Sequence, residues 1–267
     1  MATTVRSPGP TPASNPPSEG YHPPVAWYRE WFGEEYLDLY SYRDAEEAAR
    51  HVGFVVDRLE TREPEAVLDL ACGAGRHTEA LRSRGYRALG LDISLTLLAQ
   101  APHLPRVGGD MCCLPFAGDT FDWVLNFFTS FGYFETERQN FQVLAEIERV
   151  LTRGGEFLID FLNLDHVLDT LEPREVRSRE TDGGARRAVI ERWWDPSARR
   201  INKRIRVETP GDAPRSFLES VRGYRREEVV MGLNWAGLEV TDFYGNFDGD
   251  PFERDSERLI LVGRKPG

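Results

Sequence analysis

Cysteine is scarce in this chain of 267 residues: Cys72, Cys112 and Cys113 are the whole complement. An odd count, without the paired spacing of a zinc site or the even numbers of a disulfide framework, points to reduced thiols and a cytoplasmic setting. Long apolar runs are missing as well. None approaches the roughly 20 residues needed to span a bilayer, and the amino-terminal stretch has no continuous hydrophobic segment of the signal-peptide kind. Neither membrane insertion nor secretion is expected. An excess of positive charge is also absent, because 33 Lys and Arg face 44 Asp and Glu for a formal net charge of −11. That balance repels phosphate backbones and argues against a nucleic-acid partner.

The hydrophobic content of 40% and the length together suit one α/β domain with insertions rather than two full domains. Residues 1–24 are rich in Pro, Ser, Thr and Gly, cannot bury enough apolar surface to offset ordering, and read as a disordered tail. Residues 25–267 read as a single domain. It opens with a helical cap over 25–60, where Trp27, Tyr28, Trp31, Phe32, Tyr36, Tyr40 and Tyr42 precede a helix carrying Ala45, Ala48, Val52, Val55 and Leu59. These aromatics either pack the helix onto the body or meet a ligand, and the pattern does not choose.

From Ala66 onward, apolar strands alternate with amphipathic helices, the signature of a parallel sheet wrapped by crossovers. Strands are predicted at Val67–Leu70, Arg87–Leu91, Arg106–Gly109, Phe121–Phe127 and Glu156–Phe161. Helices are predicted at Arg76–Arg84, Ser94–Ala101 and Glu135–Leu151, the last stopped by Gly154-Gly155. Between Val176 and Tyr224 the chain turns to alternating, Arg-rich segments separated by Asp182-Gly183-Gly184, Asp195-Pro196 and Pro210-Gly211. Three or four antiparallel strands are expected there, forming an inserted lid over 176–224. A helix over Arg226–Ala236 and strands at Glu239–Tyr244 and Arg258–Val262 close the pattern.

The stretch Val67-Leu68-Asp69-Leu70-Ala71-Cys72-Gly73-Ala74-Gly75 runs from a strand through a glycine turn into a helix, which suits a nucleoside cofactor. Asp92 follows Asp69 by 23 residues, the spacing at which a carboxylate reaches both ribose hydroxyls, and Ile93 offers an apolar face to a purine. Asp110, after Gly108-Gly109, can accept the exocyclic amine of adenine while Met111 covers the ring. Each of these acids has a plainer reading as a helix cap. The dinucleotide fingerprint needs a third Gly or Ala where this chain has Thr78, so a dinucleotide-dependent oxidoreductase is disfavoured.

In order and spacing, this set, together with Gly90-Leu91-Asp92-Ile93-Ser94, Gly109-Asp110-Met111, Phe121-Asp122-Trp123-Val124 and Leu151-Thr152-Arg153-Gly154-Gly155, resembles the class I S-adenosylmethionine-dependent methyltransferases. The resemblance implies a Rossmann-like α/β fold whose sheet has seven mostly parallel strands, the last antiparallel, with helices on both faces. It implies S-adenosylmethionine as cofactor and S-adenosylhomocysteine as product. Carried over by position, Gly73 with Asp69, Ala71 and Gly75 would hold the methionine part, Asp92 the ribose, Ile93, Asp110 and Met111 the adenine, and Asn126 and Phe127 the surroundings of the sulfonium. A closer resemblance is to small-molecule enzymes of the aminosugar N-methyltransferase kind, by the loop Phe128-Thr129-Ser130-Phe131-Gly132-Tyr133 and the segment Tyr36 to Arg43. By that analogy Tyr40 and Arg43 bind the cofactor's carboxylate and Tyr133 orients the acceptor.

The resemblance thus implies an enzyme that methylates nitrogen or oxygen of a small-molecule substrate. A chain that binds the cofactor without transferring methyl, as a regulator, remains the competing reading. No general base stands out: His77 and His51 read as structural, and Tyr244, Asn246, Asp248, Arg258, Trp193 and Trp194 are weaker candidates for pocket walls. No metal is expected. The sequence leaves a monomer and a homodimer equally open.

Overall fold

The computed structural model describes residues 26–40, 43–59, 64–181 and 184–267. The tail over 1–24, Tyr42 and the Asp182-Gly183 part of a predicted turn lie outside the described residues. Chain order begins with two short helices, α1 (Tyr28–Trp31) and α2 (Glu34–Leu39), and then α3 (Ala45–Arg58). Asp44 caps α3 by accepting the Glu47 N–H at 2.9 Å, and Ala48, Val52 and Val55 make its buried stripe.

The parallel unit follows: β1 (Val67–Leu70), α4 (Arg76–Ser83), β2 (Ala88–Asp92), α5 (Leu95–Leu98), β3 (Arg106–Gly108), β4 (Phe121–Asn126), α6 (Glu137–Val150) and β5 (Leu151–Leu162). Next come α7 (Leu164–Thr170) and four antiparallel strands, β6 (Arg174–Thr181), β7 (Gly184–Asp195), β8 (Arg200–Glu208) and β9 (Arg215–Arg222). The chain closes with α8 (Arg226–Ala236), β10 (Glu239–Tyr244) and β11 (Arg258–Arg264).

Seven strands form the main sheet in the order β10-β11-β5-β4-β1-β2-β3. All neighbours pair in parallel from β5 to β3, and β11 is antiparallel to both β5 and β10. This is the Rossmann-like methyltransferase arrangement with an antiparallel sheet inserted. Every residue of β1 is buried because helices cover both faces. Leu68, Leu70 and Val124 face α6 and α8, while Val67, Trp123 and Leu125 face α3 and α4. The strand order reverses between β1 and β4, which opens a crevice beyond their carboxyl ends.

The inserted sheet joins the cap through a third apolar cluster, in which Trp27 and Trp31 pack against Ile190, Ile205 and Val207. Its base grips the loop after β4: Arg222 N–H donates to Gly132 O at 2.8 Å, and Arg200 donates to Tyr133 O at 3.1 Å and Phe134 O at 3.0 Å.

Two expectations need correction, and one helix was missed. Gly154 and Gly155 do not stop α6, which ends at Val150; they sit inside β5, which already begins at Leu151. A side chain at 155 would meet Thr152 O at 2.8 Å, so close backbone approach explains the glycine. The helix expected to run to Ala101 is only the four residues of α5, and α7 was not foreseen.

Candidate active site

The glycine turn after β1 has left-handed backbone at Ala71 (φ +60°), Gly73 (φ +57°) and Gly75 (φ +80°). Asp92, at the end of β2, holds the turn by accepting the Gly73 N–H on one oxygen at 2.8 Å and the Ser94 N–H on the other at 2.8 Å. Burial raises its pKa, and those backbone bonds oppose the shift. Each oxygen still has a lone pair for a hydroxyl from outside.

Asp69 is fully enclosed at 1% exposure and accepts the Thr78 hydroxyl at 2.6 Å. Burial pushes this carboxyl up to about 7. Thr78, which fills the third position of the dinucleotide fingerprint, therefore holds β1 to α4. The turn packs tightly against β2 as well, because a side chain at Gly90 would meet Cys72 Sγ at 2.6 Å.

Eleven of the thirteen residues singled out in the sequence line one cleft at these strand ends: Tyr40, Arg43, Asp69, Ala71 and Gly73, then Asp92, Ile93, Asp110 and Met111, and finally Phe127 and Tyr133. Gly75 and Asn126 do not. Gly75 opens α4 and faces the α5 side, where a side chain would stand 2.8 Å from Leu104 Cδ1. Asn126 is 3% exposed and donates to Leu70 O at 2.8 Å, joining β4 to β1 beneath the cleft. Asp110 accepts the Cys112 N–H at 3.0 Å and receives Arg29 from the cap at 3.3 Å.

The cap supplies walls that sequence reasoning left undecided. Tyr28, Phe32 and Tyr36 line the cleft beside Tyr40. Aromatic spacing alone marks no inward face, because these short helices turn the rings toward both the lid and the cleft. His77 also lines it, stacked on Phe127 at 4.0 Å between centroids and 8° between planes. Its Nε2 lies 3.1 Å from His51 Nδ1, and His51 stacks on Phe247 at 3.8 Å. Burial, with Arg258, Arg50 and Arg76 nearby, pulls His51 down to about 3, and burial likewise holds His77 well below its ordinary value. Both rings are neutral.

A second cavity lies between the cap, the loop after β4 and the inserted sheet. Its floor includes Leu162, Val167 and Arg258, and its lid side includes Arg192, Lys203 and Glu219. Six residues belong to both spaces: Phe32, Tyr36, Tyr40, Arg43, Phe128 and Tyr133. Tyr133 stacks on Phe32 at 5.9 Å and packs against Trp27 at 4.9 Å. Burial raises its phenol well above the ordinary value. Of the weaker wall candidates, Arg258 lines the second cavity, whereas Trp193, Trp194, Tyr244, Asn246 and Asp248 line neither of these two. The lid arginines are largely matched by acids, Arg192 and Arg177 by Glu175 and Arg204 by Glu191.

Among the described residues, no helix is long and apolar enough to cross a membrane, and no group of three or more His, Cys, Asp or Glu is placed to hold a metal ion.

A family described as a methyltransferase domain matches residues 67–155. The demethylmenaquinone methyltransferase of Mycolicibacterium paratuberculosis is 35% identical over 188 residues, 68% of this chain and 72% of that protein. The dTDP-3-amino-3,4,6-trideoxy-alpha-D-glucopyranose N,N-dimethyltransferase of Streptomyces venezuelae is 26% identical over 221 residues, 79% of this chain and 92% of that one. Six other curated relatives are matched over less than half their length, as with 44% of the demethylmenaquinone methyltransferase of Corynebacterium kroppenstedtii at 36% identity over 38% of this chain. Among solved structures, the CcbJ methyltransferase from Streptomyces caelestis superposes with a TM-score of 0.73 over 89% of this chain and 98% of that one, at 19% identity, a likeness of fold.

Proposed function

We propose that this chain, which belongs to the class I S-adenosylmethionine-dependent methyltransferases, transfers methyl to a nitrogen or oxygen of a small-molecule acceptor. The observation that carries this reading is the wall shared by two cavities, one shaped at the strand ends for a nucleoside and one between the cap and the lid.

The residues of the first cleft fit the cofactor. Asp92 has lone pairs left for the ribose hydroxyls, Ile93 and Met111 offer apolar faces to adenine, and Asp110 accepts its amine once Arg29 yields. Backbone at Ala71 and Gly73, with Tyr40 and Arg43 across the cleft, suits the amino-acid end. When bound, the cofactor supplies a methyl group already activated by a sulfonium. The chain's own work is then to align the acceptor and exclude water.

Tyr133 faces both cavities and, being held protonated by burial, serves as a hydrogen-bond donor rather than a base. An acceptor amine that arrives neutral attacks with its own lone pair and needs no base, so the phenol's hydrogen bond falls on another polar group of the acceptor. The amino-sugar N,N-dimethyltransferase relative supports nitrogen as the acceptor atom. The net charge of −11 disfavours nucleic acid as substrate. Three free thiols are consistent with work in the cytoplasm.

Calorimetry with S-adenosylmethionine, S-adenosylhomocysteine and NAD(H) tests the cofactor: the first two bind and the last does not, and the reverse pattern overturns the reading. Label from methyl-labelled cofactor then appears in a pool of small amines and alcohols. Binding without transfer to any pool would instead make the chain a cofactor-dependent regulator.

A further inference from the structure

Immediately after β4 the backbone does something costly. Phe128 and Thr129 are consecutive L-residues in the left-handed region, with φ of +59° and +56°. For a β-branched threonine this is a genuine outlier, and such strain persists only where the surroundings enforce it. The enforcement comes from Asp160 on β5. Its Oδ2 accepts the Phe128 N–H at 2.8 Å, and its backbone carbonyl accepts the Thr129 N–H at 2.9 Å.

Asp160 is itself completely buried at 0% exposure, and Arg258 on β11 grips its carboxylate at two points, Nε on Oδ1 and Nη2 on Oδ2, the latter at 2.7 Å. The planar fork fixes the carboxylate's orientation as well as its charge.

The held turn matters because of what it aims. The Phe128 ring belongs to the wall shared by both cavities. Three guanidiniums surround it, Arg43 at 4.5 Å, Arg76 at 5.4 Å and Arg258 at 5.7 Å. Thr129 and Arg258 both line the second cavity.

We infer that Asp160 and Arg258 are positioning residues: they lock Phe128–Thr129 in its left-handed turn and so set the Phe128 ring between cofactor and acceptor. This inference rests on the cofactor reading given above. Neither residue touches the reacting atoms; both act through Phe128. Removing the lock lets the turn relax to ordinary backbone, which withdraws the ring and leaves the cofactor cleft open toward the lid.

The test uses the full chain with four variants, Asp160→Asn, Arg258→Lys, Thr129→Gly and the double variant Thr129→Gly with Asp160→Asn. Calorimetric affinity for S-adenosylhomocysteine falls about tenfold in Asp160→Asn and in Arg258→Lys. Glycine adopts the left-handed conformation without enforcement. The double variant therefore recovers to within about threefold of the parent, a rescue that a purely stabilising role cannot produce. A lowered melting temperature with unchanged affinity, or no rescue by glycine, overturns the proposal.

Hydrogen exchange at the Phe128 and Thr129 amides of the ligand-free chain separates the two readings. A parent that fails to bind S-adenosylhomocysteine defeats the cofactor assignment. Faster exchange at the Phe128 amide in Asp160→Asn, beyond any change at the Thr129 amide whose acceptor is the backbone carbonyl of residue 160, then still supports the lock, and unchanged exchange overturns it. If Asp160→Asn does not fold, Arg258→Lys, alone and with Thr129→Gly, carries the same comparisons.

Discussion

Asp92 does two jobs with one carboxylate. It pins the glycine turn to β2 through two backbone N–H groups, and it keeps lone pairs directed at the cleft. Asp92→Ala removes both functions, and affinity for S-adenosylhomocysteine should fall by about 1–3 kcal/mol, the range for losing a buried partner of charged hydrogen bonds. An unchanged dissociation constant in calorimetry would contradict the ribose assignment. Asp92 was legible because its position depends on strand spacing, which a sequence displays. Gly75 was not: its glycine serves the left-handed backbone that opens α4, φ +80°, and it faces Leu104 rather than the cleft, a placement made only after α5 and the chain beyond it have folded back. Asn126 likewise has the right strand end but donates to Leu70 O, because a buried side-chain amide there must be satisfied. Spacing reveals which strand end a residue occupies; it does not reveal which way the side chain leaves the backbone.

Among the elements, the cap and the lid meet at Glu219 on β9. Its Oε1 accepts from Trp31 Nε1 at 2.7 Å and Tyr40 OH at 3.2 Å, and Lys203 Nζ lies 3.1 Å from Oε2. Trp31 also packs on Phe217 at 4.9 Å. Glu219→Ala would remove the carboxylate that Trp31, Tyr40 and Lys203 share, leaving the Lys203 ammonium on the Tyr40 hydroxyl alone within this cluster, costing about 2–3 kcal/mol in urea denaturation, less than a fully buried pair because Lys203 and Glu219 are partly exposed. Limited proteolysis should cut α1 and α2 sooner in the variant. A loss under about 0.5 kcal/mol would reduce the cluster to an ordinary surface ion pair. None of this was visible in sequence, since Trp31 and Glu219 are joined only by tertiary packing. The strands β1, β2 and β4 were visible, because buried apolar runs end there just before the glycine turn, at Asp92 and at Asn126. The four strands of the insert also stood out by alternation and turn residues. The helix α7 was hidden because Leu164 is its single buried residue, too little to make a periodic pattern.

At the scale of the whole molecule, acidification acts on the His51–His77 pair where α3, α4, β4 and the segment holding Phe247 converge. An unfolded chain takes up a proton on His51 near pH 6.5, whereas the folded chain resists until about 3. Stability contributed by the neutral ring is present above 6.5 and is lost as pH falls below it, by about 1.4 kcal/mol per pH unit for each histidine. Asp69 works in the opposite sense. Its folded pKa is raised to about 7 from 3.8, so its contribution is lost as pH rises through that window. The difference between parent and His51→Phe isolates the histidine: the variant should lose stability less steeply between pH 6 and 4, measured by denaturant midpoints across that range. Parallel slopes would mean that His51 takes its proton in the folded state as readily as in the unfolded one. The inserted sheet carries a consequence of a different kind. It is one contiguous stretch, leaving the body after α7 and returning at Gly223, yet among its described residues it furnishes Arg192, Ile201, Lys203, Glu219 and Val221 to the second cavity and no wall of the cleft at the strand ends. On the proposed assignment of the two cavities, substrate choice can therefore drift, or be transplanted between relatives, by exchanging a single cassette while the strand ends stay as they are.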